Sequence, residues 1–290
     1  MEFKTFMAQA WQDHADDAEG VALRLVHGRE LAAEESDIAT LASLAQHVFG
    51  EHLGAWQRGM AFLEGLEALP GHSPDGTSGQ TLRRCHASLA LASGAAGDAR
   101  AGLSVSDRIR VGAMAAACLA GRDTGRAMQL FQASLDAAQA AGLAATDPTL
   151  RALAVTGNSL ACALEEQAER SADERALMIL AAQAARHFWA LAGTWLETER
   201  AEYRLAMTWL RAADAARARQ HAQACLAIVD AEAGPALERF FAFEAIGCVE
   251  KEAGDSGAHA AALARAREAF AALPESNQAW CGASLEKLAA

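Results

Sequence analysis

The sequence predicts an all-α protein, and three features carry this prediction. Apolar residues make up 52% of the 290-residue chain, and much of that share is alanine, which has the highest intrinsic helix propensity. Strand-forming residues are scarce, with a single tyrosine and no sustained alternation of apolar and polar residues. Each of the five prolines falls at an expected helix boundary, where a missing amide hydrogen is tolerated: Pro70, Pro74, Pro148, Pro235 and Pro274.

Helical periodicity is clearest in the second half of the chain. The segment 171–192 begins with the capping candidate Ser171, and Asp173 and Glu174 follow in its first turn. Connections of one to three residues force successive helices to run antiparallel. Further helices are expected at 194–212, at 214–233, at 235–253, from Asp255 onward, and after Pro274.

The N-terminal third is less regular, but helices can still be placed in it. The stretch 70–79, PGHSPDGTSG, is predicted to be a flexible loop because it concentrates proline, glycine and serine. A second irregular link is expected at 94–104. We expect about 12–14 helices in one domain spanning residues 1–290, with those of this third near 2–17, 18–28, 36–50, 53–69 and 80–93.

A regular spacing relates the later helices. The second helix of each successive pair is predicted to begin near Asp123, Asp173, Asp214 and Asp255, at intervals of 50, 41 and 41 residues. A fixed period in this range is typical of stacked helical hairpins.

The residues at these positions carry a family resemblance. The turn residues Gly121 and Asp123 are followed by Ala127, Phe131 and Ser134, a spacing that resembles the second half of a tetratricopeptide repeat. The first-helix pattern of that repeat, a Leu-Gly pair three residues before an aromatic, is matched by Leu205, Ala206 and Trp209 and begun by Ile246 and Gly247. The resemblance covers residues 104–290 well and 1–70 weakly, and the period exceeds the usual 34 residues. It implies a right-handed superhelix of antiparallel hairpins, a tetratricopeptide-like α-solenoid.

Composition limits the partners and the compartment. The net charge of −12 disfavours nucleic acid, which binds basic surfaces. No stretch approaches ~18 uninterrupted apolar residues, and the N-terminus lacks a basic region followed by an apolar one. We therefore expect a cytoplasmic protein that binds neither nucleic acid nor membranes, and the arginine-rich, lysine-poor composition indicates a GC-rich bacterial genome. The six scattered cysteines are expected to be small buried hydrophobes.

Local signatures of catalysis and metal binding were not found. The sequence contains no Gly-Lys pair for a P-loop, no Glu-x-x-His, no Cys-x-x-Cys and no His-Glu-x-x-His. His47 and His52 are five residues apart, which on an α-helix places them on different faces, and His14 beside three aspartates is interpreted as a solvent-facing helix end. We therefore expect no catalytic, cofactor-binding or metal-binding residue and a protein that is not an enzyme.

The resemblance implies a binding groove instead. In such arrays the first helix of each hairpin faces the concave surface, and the positions around its Leu-Gly pair are exposed. The matching positions also include Cys162 and Cys248. The predicted partner-binding residues are Asn158, Glu165, Arg200, Tyr203, Met207, Arg211, Phe241, Glu244 and Lys251.

Three functions remain open at this point. The leading hypothesis is a non-enzymatic scaffold whose groove binds a protein or peptide. The alternative is a small-ligand or signalling-peptide sensor of a bacterial regulatory system. A third is an enzyme whose site includes an anion clamp formed by Arg83, Arg84, Arg108 and Arg110. The apolar residues Trp280, Cys281, Leu285 and Leu288 of the last helix also predict a possible homodimer.

Overall fold

Residues 2–290 are described by a computed structural model, and within that range the chain forms fourteen α-helices, one π-helix and no strand. The all-α prediction is therefore confirmed. The helices are α1 (Phe3–Asp13), α2 (Ala18–Leu31), α3 (Glu35–Gln46), the π-helix (His47–His52), α4 (Trp56–Leu66), α5 (Thr77–Ser93), α6 (Val105–Leu119), α7 (Thr124–Ala141), α8 (Pro148–Glu165), α9 (Ala172–Ala192), α10 (Trp195–Arg211), α11 (Ala215–Ala231), α12 (Ala236–Glu252), α13 (Ser256–Ala271) and α14 (Glu275–Ala289).

The predicted spacing arises from side-chain caps at the starts of four helices. The caps of α7, α11 and α13 are Asp123, Asp214 and Asp255, and each accepts a hydrogen bond from the backbone N–H three residues later. The cap of α9 is Ser171, the predicted capping residue, which forms a reciprocal capping box with Glu174 and lies two residues before Asp173. The caps are consequently 48, 43 and 41 residues apart.

The chain divides into two compact units, one ending at Thr149 and the other beginning at Leu150. In the second unit each helix from α9 to α14 packs on the next along the chain, and α12 also contacts both α10 and α14. Fully buried side chains such as Phe240 and Cys225 fill the spaces between these helices.

The first unit is built around α3, α5 and the π-helix. Helix α3 packs on α4 and α5, while the π-helix contacts α2, α3, α4 and α6. Leu25, Leu41, Leu63 and Leu89 are completely or almost completely buried between these elements. The α-helix predicted at 36–50 ends at Gln46, because the chain continues from His47 as a π-helix.

The two irregular segments lie between helices. Residues 94–104 connect α5 to α6, and the predicted loop 70–79 overlaps the start of α5 at Thr77. Ser78 is fully buried, and its backbone N–H donates to Glu35 Oε1 of α3 over 3.0 Å. This contact ties the end of the segment to α3, and the flexibility of 70–79 stays a prediction.

None of the helices in the described part of the chain combines the length and the apolar character needed to span a bilayer.

The turns before α11 and α13 allow the cost of a positive φ angle to be measured. Ala213 and Gly254 both adopt positive φ, at 62° and 75°, in turns that donate back to Trp209 O and Glu250 O. Because a Cβ in this conformation costs about 1 kcal/mol, Ala213→Gly should raise the free energy of unfolding by about that amount. Gly254→Ala should lower it similarly, as measured by urea denaturation.

Ala212 provides the control, because it precedes Ala213 with an ordinary negative φ of −83°. Ala212→Gly should bring no gain in stability. Equal gains from Ala212→Gly and Ala213→Gly would contradict the conformational explanation.

Candidate functional site

The predicted groove residues lie on α8, α10 and α12 of the second unit, and we call the surface formed there together with α14 the first-helix face. Arg200, Arg211 and Lys251 are exposed, and Glu244 is buried at 8% exposure. The expectation that Glu244 is an exposed groove residue is therefore wrong. The others, Asn158, Glu165, Tyr203, Met207 and Phe241, are partly buried.

Glu244 is buried because it binds within its own unit. The hydroxyl of Tyr203 on α10 donates to Glu244 Oε2 on α12 over 2.7 Å, and burial raises the pKa of the Glu244 carboxyl above its usual value. The positions are 41 residues apart, one period along the chain. This hydrogen bond joins α10 to α12, so the Glu244 carboxylate is not directed toward a partner in solvent.

Glu165 is engaged in the same way at the end of α8. Arg204 Nη1 donates to Glu165 Oε2 over 2.5 Å, and Thr208 also donates to this carboxylate. Arg200 pairs with Glu238 Oε1 over 2.7 Å, and the amide of Asn158 contacts Cys162 Sγ. Many of the polar side chains predicted to line the groove are therefore bonded to other residues of the same unit.

An aromatic row crosses the first-helix face. The Tyr203 and Phe241 rings pack edge to face with centroids 5.7 Å apart, and Phe241 lies 5.4 Å from Trp280 of α14. Trp280 is 65% exposed. The row therefore runs across α10, α12 and α14 and ends in a large ring that faces solvent.

Four other aromatic side chains of the second unit pack between its helices. Phe188, Trp189, Trp209 and Phe240 are each at most 9% exposed. Of the four residues expected to form a dimer surface, Cys281 and Leu288 are buried against their own unit. The homodimer stays a prediction, now with Trp280 as its most exposed apolar residue.

A basic rim borders the aromatic row. Arg211, Lys251 and Lys287 lie in the last turns of α10, α12 and α14, and all three are exposed. Burial raises the pKa of the partly buried Cys248 thiol to about 11, and the charges of Lys287, Lys251 and Arg211, which lie near it, act to lower that pKa. Two of the three lysines of the chain lie here. The groove prediction stopped at α12 and omitted Lys287 and Trp280 from the binding set, because no Leu-Gly pair marks α14.

A fully buried carboxyl lies behind this face. Glu199 on α10 is 1% exposed, accepts a hydrogen bond from Cys225 Sγ over 2.9 Å, and leaves Oε2 with no partner among residues 2–290. Burial, and then the nearby charge of Glu238, raises the pKa of Glu199 to about 7. The group is therefore protonated in mildly acidic solution.

A cluster of three histidines forms in the first unit. One ring nitrogen from each of His14, His47 and His52 lies within 4.8 Å of the other two, and His47 Nε2 is 3.1 Å from His52 Nε2. His14 is the C-cap of α1, and the other two are the first and last residues of the π-helix. Partial burial, and then repulsion from the other two histidines, lowers the pKa of His52 to about 4.

The expectation that His47 and His52 point to different faces is wrong. In an α-helix five residues turn the chain by about 500°, which separates two side chains by about 140°. The π-helix bonds i to i+5, as in the bond from Leu53 N to Val48 O, so the fifth residue returns to nearly the same face. The helix propensities of the residues do not distinguish this π-helix from an ordinary α-helix.

The four arginines of the third hypothesis do not converge. Arg84 and Arg110 both approach Asp107, at 3.0 and 3.7 Å, while Arg83 donates to Pro74 O and Arg108 to Leu103 O. Arg84 and Arg110 therefore share one carboxylate, while Arg83 and Arg108 bind separate backbone carbonyls, and the four guanidinium groups do not form one anion clamp. All six cysteines are free, and Cys85, Cys118, Cys225 and Cys281 are buried as expected.

No protein-family model matches the sequence, and no curated protein is significantly similar to it.

The raised pKa of Glu199 predicts that the free energy of unfolding depends on pH. Its pKa is about 7 in the folded chain and near the ordinary 4.5 in the unfolded chain, so the folded state binds the extra proton between these values. The stabilisation is complete below about pH 4.5 and is lost as the pH rises through 7, by up to about 3 kcal/mol. Glu199→Gln should flatten this fall in urea denaturation between pH 5 and 8.

Glu232 provides a matched control, because it is an exposed glutamate of the same unit. Glu232→Gln should keep the wild-type profile. A Glu199→Gln profile that still falls as steeply as the wild-type profile would assign the dependence to another group.

Proposed function

We propose that the first-helix face binds an acidic peptide segment of a partner protein, with an apolar anchor of that segment on the aromatic row. The observation that carries the proposal is the row Tyr203–Phe241–Trp280, which ends in a 65% exposed tryptophan beside a basic rim. Tryptophan and tyrosine are enriched among residues that dominate binding energy. The role is binding rather than catalysis.

Contacts within each unit support a tetratricopeptide-like arrangement of helix hairpins. Ala127, Phe131 and Ser134, three of the residues that carry the family resemblance, are buried at 5% exposure or less in the first unit. A Cβ on Gly112 of α6 would lie 2.3 Å from Ser134 Oγ of α7, so the two helices touch at small residues as the repeat pattern requires. In the second unit, hydrogen bonds across one period join α8 to α10 and α10 to α12.

The positive charges at the edge of the first-helix face favour a negatively charged partner. The chain as a whole is acidic, with a net charge of −12, yet Arg211, Lys251 and Lys287 form no ion pair with another residue in the range 2–290. Screening limits electrostatic attraction to about 8 Å at physiological salt. A peptide bound at the row therefore responds mainly to charges within that distance, and these include the three cations of the rim.

The buried polar bonds give the face a fixed shape before binding. Tyr203 is held by Glu244, and Arg204 by Glu165. Side chains that are already ordered lose less conformational entropy when a ligand binds. A preordered row of aromatics with mobile lysines at its edge suits a short extended or helical segment.

A random peptide display on the purified chain tests the proposal. Selected peptides should be rich in Asp and Glu around one large apolar residue. Trp280→Ala and the double variant Lys251→Glu/Lys287→Glu should each weaken their binding at least tenfold, by loss of the anchor and of the rim charge. Affinities of synthetic copies are measured by fluorescence anisotropy at two salt concentrations, since rim contacts weaken with salt.

The control variants are Arg175→Glu on α9 and Trp11→Ala on α1, an exposed arginine and a 40% exposed tryptophan away from this face. Both should bind the peptides as the wild type does. Peptides that bind the Trp280 and lysine variants with unchanged affinity would refute the proposal, as would selected peptides without acidic residues.

A further inference from the structure

The histidine cluster of the first unit has no part in the proposed peptide face. His14, His47 and His52 come from two segments 33 residues apart in sequence and present one ring nitrogen each to a common point. Neutral imidazole is the side chain most often used to bind zinc-class metals. The ring nitrogens therefore have the chemistry of a metal site.

The geometry of the cluster is close to that of a three-histidine site. Zinc binds histidine nitrogens at about 2.0–2.1 Å, which places two nitrogens of a tetrahedral site about 3.4 Å apart. His47 Nε2 and His52 Nε2 are 3.1 Å apart, and the widest separation within the cluster is 4.8 Å. A movement of the His14 ring on the order of 1 Å completes the set.

Two of the rings are already oriented as metal ligands are. His47 Nδ1 donates to Glu51 Oε1 over 3.1 Å, and His14 Nδ1 donates to Trp11 O over 2.6 Å. Metal-binding histidines characteristically donate their other ring nitrogen to a carboxylate or a carbonyl, which leaves the lone pair of Nε2 free for the metal. Both second partners are present here.

The backbone that carries two of the rings is held from the opposite side. Arg122 donates to Glu51 O over 2.8 Å and to His52 O over 2.7 Å, the last carbonyls of the π-helix. A Cβ on Gly50 would lie 2.5 Å from Cys118 Sγ, so the π-helix packs on α6 more closely than other residues allow. π-Helical turns occur frequently at functional sites.

Charge around the cluster is nearly balanced. Glu51 contributes a negative charge beside His47, and the Arg122 guanidinium contributes a positive one that is already bound to carbonyl oxygens. The cluster is partly open to solvent, so an ion has access to it.

We propose that His14, His47 and His52 bind one divalent transition-metal ion of the zinc class, with solvent in the fourth position. The carboxylate of Glu51 and the carbonyl of Trp11 orient His47 and His14. Binding ties the end of α1 to the π-helix, and the open position leaves the ion able to accept a further ligand.

Titration of the full-length, chelator-treated chain with Zn²⁺ in a calorimeter tests the site. One ion per chain should bind, and His14→Ala, His47→Ala and His52→Ala should each lower the affinity more than tenfold. Glu51→Gln should lower it about 10- to 100-fold, the usual effect of a lost second partner. Two controls should bind as the wild type does: His187→Ala, an exposed histidine on α9, and Asp16→Asn, an exposed acid two residues from His14.

Cobalt(II) provides a second measurement on the unaltered chain. Bound Co²⁺ in four or five coordination should give visible absorption bands far stronger than those of the hydrated ion, and Zn²⁺ should displace them. This readout does not depend on whether any variant folds. A spectrum like that of hydrated Co²⁺, Zn²⁺ binding that survives His14→Ala, or binding that is lost equally in His187→Ala would overturn the three-histidine site.

Discussion

At Gly112, Gly157 and Gly247 the helices approach each other so closely that a β-carbon would overlap an atom of the neighbouring helix. The predicted overlaps are with Ser134 Oγ at 2.3 Å, Ala181 O at 2.6 Å and Leu288 Cδ1 at 2.9 Å. The neighbour is a backbone oxygen at Gly157, a small hydroxyl at Gly112 and the end of a leucine side chain at Gly247, so the missing β-carbon lets the helices approach at each point. Dense packing of this kind leaves little freedom for a helix to slide. The positions of all the other groups on these helices follow from it.

Close packing brings charged groups together that would otherwise remain in water. Glu202 accepts hydrogen bonds from Arg186 of α9 and His221 of α11, and Glu250 accepts two from Arg219 of α11. A buried carboxylate with these partners gains little net stability, but losing one partner leaves a costly unpaired charge. Such pairs therefore favour one alignment of neighbouring helices over others. Glu199 lacks a second partner, and its raised pKa of about 7 couples the stability of this unit to pH.

The two units use exposed side chains differently. In the second, the polar groups at the middle of the first-helix face bind one another, and what remains for a partner is an aromatic row with cations at its edge. In the first, a local change of helix type gathers three imidazoles at one point. Neither feature depends on a recognisable motif. Both depend on where packing places side chains that are distant in sequence.

The helices of the second half could be located from the amino-acid sequence alone. Alanine content, the caps Asp123, Asp214 and Asp255 and the short connections act locally, and local interactions can be identified from the residues that make them. Among the candidate site residues, Tyr203 and Glu244 occupy equivalent positions one period apart, and their side chains are in contact in the structure.

Tertiary structure decided which side chains are free. The burial of Glu244 and the engagement of Glu165 follow from donors one period away, and the sequence pattern does not show whether such donors reach them. The meeting of His47 with His52 needs a π-helix, which is held by Arg122 from the turn after α6 and by the close contact between Gly50 and Cys118 of α6. Helix type at such a turn depends on contacts more than 60 residues away, so local propensity predicted an ordinary α-helix there and separated the two rings.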